Sequence, residues 1–314
     1  MIQLFGTYTA VFGGKNMNLR QLEYFITAAE CKNMTEAARK LHMAQPPLSR
    51  AIKTLEESLD ITLFFRSKKG IQLTDAGRLL YQQTTHLFRE IEDIQTNIRE
   101  MSGELCGNIK IGACYSTLPI VTERIQVFLS RHPACTFSMI QGTIHELETD
   151  LRDGLIDMLF LRNCIVDGAE FVHMTLPEDP LCLVVHKELD TQPDNATPDI
   201  TYLQDLPLCV LDESRSAGLN SFLYSACSDH HITPRIVCKC YDNSAGLALA
   251  LSKVSGAFLP LSSVAFDNYP ALNVKYIQGL DMSSRVTLIY NPYVYHTCSV
   301  QEFLSLFSNE PSNG

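Results

Sequence analysis

The chain has 314 residues, 46% of them apolar, and a formal net charge of -10, which allows two domains and excludes a disordered chain. No apolar run reaches the roughly 18–20 residues of a membrane-spanning helix, and the opening MIQLFGTYTAVFGGKN lacks the basic stretch that begins an export signal. The acidic sum speaks against a nucleic-acid partner, yet residues 1–100 hold 13 Lys and Arg against 11 Asp and Glu, and the remainder 12 against 24.

A faintly basic head on an acidic body is compatible with DNA binding, because only the contacting face must be positive. The expected compartment is the cytoplasm, where the eleven cysteines are read as free thiols buried among apolar neighbours. Residues 1–17 read as a loose N-terminal extension, with Met17 offering a second start.

From Leu19, apolar Leu22, Phe25, Ile26 and Ala29 recur at helical spacing and predict a first helix to about Cys31. Thr35 is the expected cap of a short second helix ending near His42. Pro46 then falls in the first turn of a third helix, where a missing N–H costs nothing. Leu48, Ile52, Leu55 and Leu59 form its apolar stripe, which leaves Gln45, Ser49, Arg50 and Lys53 facing outward. Two short helices joined by a tight turn, the second with a polar outer face, can place a recognition helix in a major groove. An ordinary three-helix cap with a solvated face would carry the same pattern. The segment LFFRSKKGIQLT adds strand, basic turn and strand, a hairpin with Arg66, Lys68 and Lys69 near its tip, suited to phosphate or minor-groove contact. Thr74 is the expected cap of a long helix in which Leu80, Thr84, Leu87, Ile91, Ile94, Ile98 and Met101 recur at alternating spacings of four and three. A partner helix is the natural place to bury such a stripe.

Residues 18–101 resemble the winged helix-turn-helix head and linker helix of the LysR-type transcriptional regulators. The segments that carry the resemblance are MNLRQLEYFITAAE, MTEAARKLHMAQPPLSRAIKTLEESL, LFFR and LTDAGRLL. It implies a head that binds operator DNA as a dimer, with contacts at Thr35, Gln45, Pro46, Ser49, Arg50 and Lys53, and at Arg66 on the wing. Asp60 departs from the usual glycine and Phe65 from the usual acidic residue. The implied organisation is a head at 18–74, a linker helix at 75–102 that pairs through Leu80, Leu87, Ile91, Ile94, Ile98 and Met101, and an effector domain at 103–314. The implied partners are duplex DNA, a small effector, further copies of the chain as dimer or tetramer, and RNA polymerase.

Beyond a hinge at Gly103–Gly107, strand and helix alternate as in parallel sheets with crossover helices. Strands are expected at NIKIGAC, CTFSMIQG and IDMLFL, then near 171–176 and 180–186, then at LCVL, RIVCKC and GAFLPL, with a last one near 284–290. Two α/β lobes follow, the first about 107–161 and 270–314, the second about 162–269, with a cleft at the strand ends. Ser116, Thr117 and Thr143 follow strands of the first lobe, and Ser214, Arg215 and Ser216 follow one of the second. Hydroxyls at helix starts with one arginine suit a carboxylate or other small anion, although the same hydroxyls could only cap their helices. This region also resembles the family's periplasmic-binding-protein-like effector domain, whose inducers occupy that cleft.

No HExxH, GxSxG or phosphate loop occurs, so no enzyme activity, metal or cofactor is expected. A redox switch is the alternative signal input, with Cys209 and Cys227 flanking a second-lobe helix as the candidate thiols. A small-molecule-binding protein without regulatory output is the remaining alternative.

Overall fold

The computed structural model describes residues 9–12, 15–67, 70–101, 103–194, 196–212, 219–265, 269–280 and 282–308. They divide into two compact units, 1–95 and 96–314.

In the first unit the expected loose extension is partly paired. Strand β1 (Thr9–Phe12) runs antiparallel to β2 (Lys15–Asn18), with Thr9 opposite Asn18. Helix α1 (Leu19–Cys31) starts on a capping box, in which Asn18 accepts from Gln21 N at 2.9 Å and the Gln21 side chain accepts from Asn18 N at 3.1 Å. Helix α2 (Met34–Lys40) is capped by Asn33, not Thr35. The Asn33 side chain accepts from Thr35 N at 2.9 Å and Glu36 N at 3.2 Å, so Thr35 already lies in the first turn. Helix α3 (Gln45–Leu59) carries its prolines in the first turn, as the doubled proline implies.

Leu22, Phe25, Ala37, Ala38, Leu48, Ile52 and Leu55 form the core of this unit. Phe25 meets Phe64 with ring centroids 5.2 Å apart. Leu59 departs from the expected stripe and is exposed, because the helix stops at Asp60 in a left-handed turn. Strands β3 (Phe64–Ser67) and β4 (Gly70–Leu73) form the hairpin, while Lys68 and Lys69 lie outside the described residues. Gly70 is required there: its φ is +126°, and a Cβ would come 2.5 Å from the Lys32 carbonyl oxygen. The Thr74 hydroxyl accepts from Gly77 N at 3.0 Å and donates to the Thr62 carbonyl at 2.7 Å, starting helix α4 (Asp75–Glu100).

The second unit is built on a nine-stranded sheet, eight strands in one path and one branching from it, whose longest strand serves two lobes. Strands β5 (Gly107–Ala113), β6 (Cys135–Ile140) and β7 (Met158–Arg162) are parallel, with β5 in the middle. Helices α5 (Leu118–Arg131) and α6 (Ile144–Arg152) connect them. Where two strands were expected at 171–186 there is one of 15 residues, β8 (Val172–His186). Pro177 and Pro180 interrupt its sequence pattern; a register irregularity against the last strand takes in Pro177, while Pro180 pairs in regular register with Ser283.

The second lobe contains α7 (Tyr202–Asp205), β9 (Leu208–Leu211), α8 (Leu219–Asp229), β10 (Ile236–Cys240), α9 (Asn243–Leu251), β11 (Gly256–Pro260), α10 (Leu261–Ala265) and β12 (Leu272–Lys275). Strand β13 (Ser283–Tyr290) and helix α11 (Cys298–Ser308) return to the first lobe. The N-terminal half of β8 pairs with β13, and its C-terminal half with β11 and β12. Two expected lobe limits therefore move: residues 172–180 pair within the first lobe, and β12, placed there by the limit near 270, pairs within the second.

Both faces of each half-sheet are buried, as crossover helices demand. In the first lobe Ile109, Phe128, Phe160 and Phe303 pack on one face, and Leu147, Leu151, Leu159 and Ile289 on the other. In the second, Leu183, Leu203, Leu208 and Cys227 pack on one face, and Val184, Cys209, Ala257 and Leu259 on the other. Glu100, the last residue of α4, is buried and accepts from Cys298 N at 2.9 Å and Ser299 N at 3.0 Å. A carboxylate there complements the N-terminal dipole of α11.

Candidate functional site

Two surfaces carry the candidate chemistry. On α3, Pro46, Arg50 and Lys53 are exposed and Gln45 and Ser49 half-buried, opposite the buried Leu48, Ile52 and Leu55. That separation follows from the 3.6-residue period. Thr35 is exposed in the first turn of α2. Arg50 makes no ion pair among the described residues, whereas Lys53 lies 3.6 Å from Glu57, an exposed pair of little weight. Arg66 reaches from β3 to α3, donating to Ser49 Oγ at 3.3 Å and lying 3.6 Å from Glu56. Glu56 itself accepts from Leu63 N at 2.8 Å and Phe64 N at 3.2 Å. It fastens the hairpin to the helix, a role that its place on a polar helix face does not reveal.

The second surface is a cavity of about 520 Å³ between the lobes of the second unit. Ser116 and Thr143 line it, as expected. Thr117 does not: it is fully buried and its hydroxyl donates to the Cys114 carbonyl at 2.8 Å. Ser214, Arg215 and Ser216 lie outside the described residues. Thr143 caps α6 through a capping box, donating its hydroxyl hydrogen to Glu146 at 2.8 Å while Thr143 N donates to the same carboxylate at 2.8 Å. Its hydroxyl therefore faces the cavity as an acceptor only. Across the cavity Asp242 caps α9, accepting from Ala245 N at 2.8 Å and from the Ser244 hydroxyl.

The residue that sequence reading missed is Arg162, at the C-terminal end of β7. Its side chain is 7% exposed and lies 2.8 Å from Asp179, which is also 7% exposed. It donates to Ser284 Oγ at 2.5 Å and to the Ser116 carbonyl at 2.7 Å, and its buried Nε has no partner among the described residues. Asp179 accepts in turn from Ser262 N at 3.0 Å and Ser262 Oγ at 2.5 Å. One ion pair thus joins β7, β8, β13 and α10 where the lobes meet. A charged residue closing the apolar run MLFL was the available signal, since strand ends face the crevice in such sheets.

The described residues gather no cluster of three or more His, Cys, Asp or Glu fit for a metal ion. No helix among them is long and apolar enough to cross a membrane. The thiols of Cys209 and Cys227, expected to flank one helix, sit in separate core clusters on opposite faces of the second-lobe sheet.

A winged helix-turn-helix head followed by a two-lobed binding body defines a DNA-binding regulator with an effector domain. The profile described as "Bacterial regulatory helix-turn-helix protein, lysR family" matches residues 19–78, and that described as "LysR substrate binding domain" matches residues 102–311. The chain belongs to the LysR family of transcriptional regulators. It is 28% identical over 293 residues to the HTH-type transcriptional regulator BsdA of Bacillus subtilis (strain 168), covering 93% of this chain and 100% of BsdA. It is 28% identical over 280 residues to the HTH-type transcriptional regulator BenM of Acinetobacter baylyi, covering 87% of this chain and 89% of BenM. The crystal structure of full-length CbnR complexed with its target DNA matches the fold with a TM-score of 0.72 at 23% identity, covering 93% of this chain and 98% of that one.

Proposed function

We propose that this regulator reads its operator through α3 and the β3–β4 hairpin, and that a small organic anion in the interlobe cavity controls it. On this reading the head spans 18–74 and α4 is the linker along which two copies pair. Arg50 reads a base edge, while Thr35, Gln45, Pro46, Ser49, Lys53, Arg66, Lys68 and Lys69 position the head on the duplex. Regulatory output passes to RNA polymerase in the cytoplasm, and the chain catalyses no reaction.

The observation that carries the effector reading is the spare Nε–H of Arg162, buried at the wall of a cavity large enough for a small organic molecule. An unpartnered buried donor costs about 1–3 kcal/mol, and a small turn of the Arg162 side chain toward the cavity would let a ligand oxygen meet it. Two carboxylates line the same cavity, Glu146 and Asp242, but both spend oxygens on helix N-termini. Ser116 and Thr143 supply hydroxyls nearby. Calorimetry with a panel of small organic acids and uncharged analogues tests this, followed by Arg162→Lys. Lysine keeps the charge beside Asp179 but has no Nε–H fork, so acid binding should weaken by about 1.5–3 kcal/mol. Equal affinity for acids and neutral analogues, or equal binding by Arg162→Lys, would overturn the assignment.

A further inference from the structure

The sequence places a hinge at Gly103–Gly107, between the linker helix and the body. Both glycines adopt a positive φ, +90° at Gly103 and +101° at Gly107, and a Cβ on Gly103 would meet nothing within 4 Å. A free joint would leave the segments on either side of it apart. They are instead in contact. The last turn of α4, from Thr96, belongs to the same compact unit as the body, and a Cβ on Gly107 would lie 2.7 Å from Thr96 Cγ2. Beyond Thr96 in the same turn, Glu100 reaches the start of α11.

These contacts make Glu100 more than the cap of a helix. Thr297 already serves α11 locally, its hydroxyl accepting from Val300 N at 3.4 Å and sharing a 2.9 Å hydrogen bond with Ser299 Oγ. The N–H groups of Cys298 and Ser299 are satisfied by a carboxylate 198 residues before Cys298 in the chain. Each oxygen takes a different N–H, Oε2 that of Cys298 and Oε1 that of Ser299, so the carboxylate is held in one orientation. Its charge also meets the positive end of the α11 dipole. At 8% exposure the group is shielded from water, which strengthens both bonds. On its own helix, the Glu100 carbonyl accepts from Gly103 N at 2.9 Å, and Met101 N donates to the Asn97 carbonyl at 3.1 Å.

Helix α11 is in turn keyed into the first lobe. Val300, Phe303 and Phe307 are buried with Ile111, Phe160 and Leu288. Phe307 meets Phe160 of β7 with ring centroids 5.2 Å apart, and Phe303 meets Phe128 of α5 at 5.3 Å. Side chains packed this closely transmit strain to one another. Strand β7 ends in Leu161 and Arg162, which line the cavity.

We infer that Glu100 locks the linker helix to the first lobe, so that the Gly103–Gly107 loop bends only when this carboxylate lets go. With the lock closed, a displacement of α11 carries the last turn of α4 with it. With the lock open, the body turns on the two glycines and the linker helix no longer follows it. Glu100 is thus a positioning residue, the point at which a change in the first lobe enters the linker helix. The inference rests on contacts within the second unit and holds whatever the cavity binds.

Glu100→Gln tests it in the full chain, because the amide keeps the shape but offers one acceptor oxygen to two N–H groups. In hydrogen exchange read by mass spectrometry, residues 96–101 and 298–303 should both exchange at least about tenfold faster, with β5, β7 and β13 within about twofold of wild type. Thr297→Ala, which touches only the local cap, should speed 298–303 and leave 96–101 unchanged. Small-angle scattering of Glu100→Gln should give a broader distribution of interatomic distances at an unchanged sedimentation mass, whereas Thr297→Ala should reproduce the wild-type profile. Loss of a merely stabilising contact would not move that profile. In the wild-type chain alone, the two segments should lose protection together along a series of sub-denaturing urea concentrations, as one opening unit. That measurement decides the matter even where Glu100→Gln fails to fold. Acceleration confined to 298–303 in Glu100→Gln, a scattering profile superimposable on wild type, or separate opening of the two segments in the wild-type chain would overturn the inference.

Discussion

Replacing Ile94 by Asp should separate paired copies of the chain without unfolding either. Along α4, Ile94 is 57% and Ile98 65% exposed, with Leu87 at 37% and Met101 at 86%. Full burial of an isoleucine side chain is worth about 1.5–3 kcal/mol, so these exposures leave roughly 1–2 kcal/mol per isoleucine to be gained by pairing. Two such residues on each of two chains contribute roughly 4–8 kcal/mol, before Leu87 and Met101 are added. That is comparable with the cost of association, about 4–15 kcal/mol, so the seam has little to spare. Ile94→Asp removes one contact per chain and sets two carboxylates into the seam where neither finds a partner. A loss of about 4 kcal/mol raises the dissociation constant roughly a thousandfold. Sedimentation velocity across a concentration series reads this, with far-UV circular dichroism confirming that the helix persists. Ile91 is a poorer choice because it is already half-buried within the chain. A variant that keeps the parent's mass and spectrum at every concentration would show that α4 does not hold the copies together.

Four further outcomes follow from individual residues. Lys275 and Asp190, with side chains 0% and 1% exposed, pair at 3.0 Å, and Lys275→Met should cost about 3–5 kcal/mol in urea unfolding followed by tyrosine fluorescence. The low end is expected because Asp190 keeps Gln192 N at 2.9 Å, Tyr202 Oη at 2.9 Å and Asn273 Nδ2 at 2.8 Å. Burial pushes the Asp190 carboxyl up, but hydrogen bonds from Asn273, Gln192 N, Lys275 and Tyr202 outweigh it, and the net shift is downward. The resulting stability is present above the ordinary carboxylate value of about 3.9 and lost as pH falls through the lower folded value. Acid titration of Asp190→Asn should lack that part of the slope, and an unchanged slope would contradict the assignment. Asp60→Gly should stabilise the head by about 0.5–1 kcal/mol in thermal unfolding, since Asp60 sits at φ 54°, ψ 37°, a left-handed conformation that disfavours side chains. Arg50→Ala should lower operator affinity relative to a scrambled duplex by about 1–3 kcal/mol at one fixed salt concentration, whereas an unchanged ratio would limit Arg50 to positioning.

What could be read from the sequence was local. The three head helices announce themselves through apolar spacing and the proline start, which depend only on near neighbours. Even there, Asn33 and Thr35 are both good caps, and spacing alone could not choose between them. In the body, Pro177 and Pro180 look like breaks, yet β8 continues through Pro177 because the pairing with β13 shifts register there, and through Pro180 in regular register with Ser283. Ser116 and Thr143 could be found because hydroxyls after β5 and β6 must lie at the strand ends. Thr117, one residue from Ser116, turns inward, and that depends on the tight turn Tyr115–Thr117. Arg162 escaped because its partners Asp179 and Ser284 become neighbours only once β7, β13 and β8 lie side by side. The separation of Cys209 from Cys227 was hidden for the same reason: they lie on opposite faces of the second-lobe sheet, which their spacing does not reveal.

The most direct test of the account measures operator binding with and without a cleft ligand, in the wild-type chain and in Arg162→Lys. The operator is first selected from random duplexes, and affinities are then taken by fluorescence anisotropy at one salt concentration. A regulator of this kind should bind the selected duplex at least about a thousandfold more tightly than a scrambled one. The organic acid that binds most tightly should shift wild-type operator affinity and leave that of Arg162→Lys unmoved, while the two ligand-free proteins bind DNA equally. No selected sequence, or an equal ligand response in both proteins, would contradict the claim that the interlobe cavity controls DNA binding.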